Sequence, residues 1–230
     1  MPTRTLAVGD VHGCAAALAA LPEAVRPGPE DMLVTLGDSV NRGPDSRGVL
    51  EQLLALRERC RLVPLLGNHE EMLLAAREGR SDFNSWLQVG GDQTLASYGV
   101  KGPKDFPERH LAFLTGCRPS HESDTHIFVH ANYWPNRPMA EQPWNTLLWE
   151  PLQPGWAGRH CSGKAVVLGH TRQKDGKVLD LGFLVCIDTD CCGGGWLTAL
   201  DVSTGEVWQA NQQGEVRRTW LRGRGSRAKG

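Results

Sequence analysis

Five short apolar runs, each closed by a turn that delivers Asp, Asn or His, constrain this chain more than any other feature. TLAV (5–8) runs into Gly9-Asp10-Val11-His12-Gly13, MLVTL (32–36) into Gly37-Asp38, and RLVPLL (61–66) into Gly67-Asn68-His69-Glu70. HIFV (126–129) is followed by His130-Ala131-Asn132, and AVVL (165–168) by Gly169-His170. Continuous apolar runs, without alternation, read as strands buried on both faces. Helical signals separate the first three. CAAALAALPEAV follows Gly13, with Pro22 expected to break it or start a turn. PDSRGVLEQLLALRERC places Val49, Leu50, Leu53, Leu54 and Leu56 on one broad face. HEEMLLAAREG is expected to stop at Gly79 in the left-handed conformation. Strand, helix and strand in repetition predict an α/β core with parallel strands. Beyond about residue 125 helices give way to LVCI (184–187), WLTALDV (196–202) and a hairpin-like pair through Glu206–Ala210, which predicts a second, mixed sheet. The expected organisation is one domain over 1–221, with a helical insertion at about 80–118 and a basic, flexible tail at 222–230.

Composition narrows the function classes. The 230 residues carry a net charge of −1. No bulk field therefore favours nucleic acid as a partner. No apolar run approaches the roughly 20 residues that span a bilayer, and the N-terminus lacks a secretory pattern. A cytoplasmic monomer without membrane contact is the expectation. Seven cysteines lie at scattered spacings without a CxxC pair, so they are expected as buried or partly buried free thiols.

Open α/β sheets bind ligands outside the carboxyl ends of their strands. The five turns therefore predict one site built from Asp10, His12, Asp38, Asn68, His69, His130 and His170. Oxygen and imidazole donors without thiolate suit manganese, iron or zinc. The set exceeds the three or four ligands of a single catalytic zinc. Two divalent metals sharing a carboxylate fit it better; such pairs activate water and clamp a phosphoryl group. Arg42, close behind Asp38, is placed to grip phosphate oxygens in bidentate fashion.

GDVHG, GDSVNRG, GNHE, VHAN and LGHT, in this order, resemble the phosphoprotein phosphatase family of metallophosphoesterases, nearest its bacterial and phage branch. The resemblance runs from Gly9 to about Val202. It implies a calcineurin-like sandwich of two mixed β-sheets flanked by helices. It implies Asp10 and His12 on a first metal, Asp38 as the bridge, and Asn68, His130 and His170 on a second. Manganese is the expected metal, with iron or zinc as alternatives. His69 is similar to the family's general acid, and the implied reaction is direct attack of activated water without a phosphoenzyme. The expected substrates are phosphoserine or phosphothreonine proteins and peptides, or small phosphomonoesters. A symmetrical diadenosine tetraphosphate hydrolase, or another nucleotide phosphohydrolase, is the alternative. A phosphate- or metal-binding regulator with a crippled site is a third reading.

The chain departs from the family pattern in three places. Asn41 stands where relatives carry an Asp that supports the catalytic His; its carbonyl is expected to accept the imidazole N–H without supplying charge. Glu150 and Pro151 stand where a second phosphate-binding Arg is expected, leaving Arg137, Arg159 and Asn132 as candidate substrate-binding residues. Asp190 replaces a usual Gly and is expected in a solvated turn or at the rim. In the segment YWPNRPMAEQPWNTLLW, Trp134 is expected at the rim and Trp149 in the core.

Overall fold

The structure is a computed structural model that describes residues 3–153, 155 and 157–222. From residue 223 onward the basic tail lies outside the described residues. The chain begins with β1 (Thr5–Val8), α1 (Ala15–Val25), β2 (Met32–Thr35), α2 (Ser46–Leu56) and β3 (Arg61–Pro64). Helices follow: α3 (Asn68–Glu78), α4 (Phe83–Trp86), α5 (Asp92–Tyr98) and α6 (Glu108–Thr115). Then come β4 (Ser120–Glu122), β5 (His126–Val129), α7 (Trp144–Leu148), β6 (Ala165–Leu168), β7 (Leu179–Asp180), β8 (Leu184–Cys186) and β9 (Asp188–Thr189). The last strands are β10 (Trp196–Asp201), β11 (Glu206–Ala210) and β12 (Val216–Trp220).

Two mixed sheets form. The first runs β12-β11-β10-β1-β2-β3, with β9 also on β10; the second runs β4-β5-β6-β8-β7. β1, β2 and β3 are mutually parallel, as are β5, β6 and β8. The sheets face each other through Ala7, Val34, Phe128, Val167, Val185 and Leu200. The alternate residues point outward. Leu6, Val8 and Leu33 pack under α1 and α2 with Leu18, Leu50 and Leu53. Ile127, Val129, Val166 and Leu168 pack under α7 with Leu147 and Leu148. Burial on both faces is why these strands read as unbroken apolar runs.

Local signals set most helix ends. The Asp45 carboxylate accepts the Gly48 N–H and opens α2. Gly79, at φ 71°, closes α3 as expected. Pro22 does not break α1 but lies inside it. Burial of Ala17, Leu18, Leu21 and Val25 holds the helix through the missing N–H. The exposed strand β12 was not legible as a strand, because its basic residues mask the pairing with β11. The cysteines are all free, but Cys161 is exposed rather than buried.

One carboxylate ties the ends of β2 and β3 together. Glu70 Oε2 accepts the N–H of Asp38 and of Gly67; Oε1 accepts those of Ser39 and Val40. Burial and the Asp38 charge push Glu70 up to about 7, and these N–H groups oppose the shift. Glutamine offers one acceptor oxygen and turns an NH2 against two of the donors. Glu70→Gln is therefore expected to lower the unfolding free energy at pH 8 by about 2–3 kcal/mol, measured by urea denaturation. Unchanged stability would show that the four N–H groups do not depend on this charge.

Candidate active site

The ends of β1, β2, β3, β5 and β6 meet at one end of the sandwich, and the backbone there is strained. Among the described residues, seven non-glycine residues have positive φ. Six of them lie in these turns or in the β9–β10 connection: His12, Asp38, Asn41, Arg42, His170 and Asp190. The seventh, Arg26, closes α1. The left-handed conformation costs an L-residue roughly 1–2 kcal/mol, and such strain gathers where side chains are held for function.

Three histidines are oriented by the same device. The Nδ1–H of His12 donates to the Val40 carbonyl at 3.1 Å, and that of His130 to the Leu36 carbonyl at 2.7 Å. The Nε2–H of His170 donates to the Trp149 carbonyl at 3.2 Å. Each ring keeps its other nitrogen as a lone pair facing inward, the arrangement that metal-binding histidines use. Burial holds all three neutral, lowering His12 and His170 to about 3 and His130 to about 4. Neutral imidazole is the form that binds a cation.

Asp38 stands between these rings. Its Oδ2 lies 3.4 Å from His12 Nε2, and its Oδ1 lies 3.5 Å from His130 Nε2. One carboxylate oxygen thus faces each side. Donor atoms of Asp38, His130 and His170 lie within 4.8 Å of one another, and so do those of His12, Asp38 and His69. Asn68 joins the first group, its Oδ1 lying 3.0 Å from His130 Nε2. Asp10 is buried beside them, but both its oxygens accept the His170 backbone N–H. His12 and Asp38 are thus grouped with His69, whereas Asp10, the expected third partner, is turned to the His170 N–H. Two of the turn glycines are needed here because Asp38 and Asp10 fill their side-chain space. A Cβ on Gly67 would strike Asp38 Oδ1, and one on Gly169 would strike Asp10 Oδ1.

The site carries more buried acid than it neutralises. Burial raises Asp10 well above the usual carboxylate range, with Asp188 and Asp38 adding to the shift. Burial pushes Asp38 up to about 7 and Asp188 up to about 6. The Oδ2 atom of Asp188 is buried without a hydrogen-bond partner. Lone pairs of neutral imidazoles, crowded carboxylates and an orphaned carboxylate oxygen fit divalent cations. Arg42 is the main counter-charge: its Nη1–H donates to His12 Nε2 at 2.9 Å.

His69 and Asn41 meet differently from the sequence expectation. The Asn41 Nδ2–H donates to His69 Nδ1 at 2.9 Å. The amide oxygen faces the other way because the Thr94 hydroxyl donates to it at 2.8 Å. Thr94 and Ser46 also accept the Asn41 backbone N–H. Neutral His69 therefore carries its proton on Nε2. Residues 87–98 thus support the site: Gly90 accepts the Arg42 N–H and leaves no room for a side chain against it. The pair Gly90-Gly91 was the only sequence signal for this contact.

The remaining candidates are placed as follows. Arg137 lies over the Trp134 ring at 4.4 Å, and Arg159 over Phe183 at 5.4 Å. Among the described residues, neither touches the histidine and carboxylate cluster. Arg172, not singled out in the sequence, acts on His12 and Asp188 as a nearby positive charge and pairs with Asp190 at 3.5 Å. Asp190 is thus a largely buried partner of Arg172 rather than a solvated turn residue. Asn132 is buried; its amide donates to the Pro151 carbonyl and its oxygen accepts the Tyr133 N–H, bracing the following loop. Trp134 is exposed as expected. Trp149, expected in the core, is exposed because its indole N–H reaches out to Glu71.

Comparison with known proteins agrees with this geometry. Residues 3–173 match the model of the calcineurin-like phosphoesterase family. The chain is 31% identical over 204 residues to serine/threonine-protein phosphatase 1 of Salmonella typhimurium, covering 83% of this chain and 88% of that protein. It is 30% identical over 261 residues to the symmetrical bis(5'-nucleosyl)-tetraphosphatase of Pectobacterium carotovorum, covering 85% and 90%. The fold matches the crystal structure of a cold-active protein-tyrosine phosphatase from a Shewanella species with a TM-score of 0.71, at 16% identity, covering 95% of this chain and 80% of that one. Two mixed sheets, a histidine and carboxylate cluster at their strand ends, and similarity that extends over most of the chain lead to one conclusion: this protein belongs to the calcineurin-like phosphoesterases, the metal-dependent phosphoester hydrolases.

Proposed function

We propose that the protein hydrolyses phosphomonoesters, acting on phosphoserine or phosphothreonine in peptides and proteins, with two manganese ions. The observation that carries this reading is Asp38, whose two oxygens face the inward nitrogens of His12 on one side and His130 on the other. Asp10, His12 and Asp38 would hold one cation, and Asp38, Asn68, His130 and His170 the other. When bound, the cations supply Lewis acidity and lower the pKa of water near the phosphorus. The chain supplies the rest. Arg42 binds the non-reacting phosphate oxygens through its planar fork. The carbonyls of Val40, Leu36 and Trp149 keep the rings of His12, His130 and His170 turned inward. His69 presents Nε2–H to the leaving oxygen.

A second reading, symmetrical cleavage of a dinucleoside tetraphosphate, is favoured by the His69 tautomer. A neutral N–H polarises a leaving oxygen by hydrogen bonding but gives up its proton reluctantly. Burial, with the His12 ring and the Arg42 cation close by, opposes a second proton on the ring. A nucleotide leaving group needs that proton less than an alkoxide does.

Three measurements test these readings. With manganese, kcat/KM is expected to be higher for a phosphoserine peptide than for diadenosine tetraphosphate, phosphotyrosine peptide or simple nucleotides; preference for the dinucleotide would establish the second reading. In thermal melts, manganese is expected to raise Tm, and His130→Ala to abolish most of that increment; no increment in the native protein would remove the metal assignment. Asn41→Asp returns an acceptor and a charge to Nδ1 and lets the ring hold both protons. It is expected to raise kcat for a phosphoserine peptide about tenfold more than for nitrophenyl phosphate. Equal effects on both substrates would sink the leaving-group argument.

A further inference from the structure

Among the described residues, four tryptophans expose much of their rings: Trp134, Trp144, Trp149 and Trp220. Two of these are covered by the chain's own cations. The Arg137 guanidinium lies 4.4 Å from the Trp134 ring centre, and that of Arg218 lies 5.0 Å from Trp220. Among the described residues, no arginine or lysine is stacked on Trp144 or Trp149. They are 49% and 38% exposed, the first being the most exposed large apolar side chain described.

These two rings are nonetheless fixed. The Trp144 indole N–H donates to Glu71 Oε1 and that of Trp149 to Glu71 Oε2, both at 2.6 Å. Glu71 follows His69 by two residues on α3, and the Trp149 carbonyl holds His170. The pair is therefore built into the border of the active site. Among the described residues, Glu71 has no lysine, arginine or histidine at ion-pair distance. Its negative charge sits behind two indoles whose N–H groups both point into it. Electron-rich rings backed by an unneutralised carboxylate attract cations to their faces and disfavour polyphosphate. The chain itself covers Trp134 and Trp220 in this way.

We infer that Trp144, Trp149 and Glu71 form a subsite for a cationic side chain, the arginine or lysine flanking the phosphorylated residue of a basic phosphopeptide. This rests on the phosphopeptide reading above and adds the class of peptide to it. Cation–π contacts at partly exposed sites predict about a five- to tenfold preference from two rings.

The experiment compares two phosphoserine peptides that differ only in arginine or citrulline beside the phosphoserine. Citrulline keeps the shape and loses the charge. Native enzyme is expected to show a kcat/KM five- to tenfold higher for the arginine peptide, mainly through KM. The ratio is expected to fall towards one in Trp144→Ala and in Glu71→Gln, a variant that retains an acceptor but not the charge. Equal kcat/KM for the two peptides in the native enzyme would overturn the proposal. So would a Trp144→Ala effect confined to diadenosine tetraphosphate, which would make the rings a base-stacking platform. If neither peptide is hydrolysed, the phosphopeptide reading fails by itself. Tryptophan fluorescence then decides the subsite: the unphosphorylated arginine peptide is expected to quench the native protein and not Trp144→Ala, and the citrulline peptide neither. Identical quenching by both peptides overturns it.

Discussion

The carboxylate of Glu70 is the contact on which the site depends. Its two oxygens collect four backbone N–H groups from Gly67, Asp38, Ser39 and Val40. Turns at parallel strand ends leave such donors without ladder partners, and burying them unpaired is costly. Satisfying them with one charged group locks the turn after β2 against the start of α3. Asp38, Asn41 and Arg42 lie in the first element, and Asn68 and His69 in the second. The positive φ values of Asp38, Asn41 and Arg42 persist because this turn is held from several sides.

The electrostatics follow from the same packing. Histidines are kept neutral by burial and aimed by backbone carbonyls, while acids are crowded until their pKa values rise. Such a cluster is disfavoured without cations and complementary to them. Arg42 adds the positive charge that an anionic substrate requires, whereas the charge of Arg172 is offset by Asp190.

Much of this was legible in the chain. Five turns after five apolar runs pointed to one cluster of histidines and carboxylates because parallel strands send their carboxyl ends in one direction. Thr94 was not legible: its hydroxyl decides which end of the Asn41 amide faces His69, yet it lies 53 residues away. Arg172 was missed because its proximity to His12 spans two sheets. Trp149 was misplaced because composition favours burying tryptophan, whereas its N–H is held by Glu71 at the surface. Pro22 reads as a break by local rules, but packing of α1 on the first sheet overrides them.

The sequence alone determined the strand-and-turn order, the two-sided burial of the parallel strands and the donor atoms available at their ends. These follow from periodicity and residue chemistry, which are local. The tertiary structure alone decided the tautomer of His69, the pairing of Arg172 with Asp190 and the open tryptophan pair at the rim of the site. Each is a matter of which distant group reaches a given atom first. Hydrogen bonds and charges act over a few ångströms in space, whatever their separation along the chain.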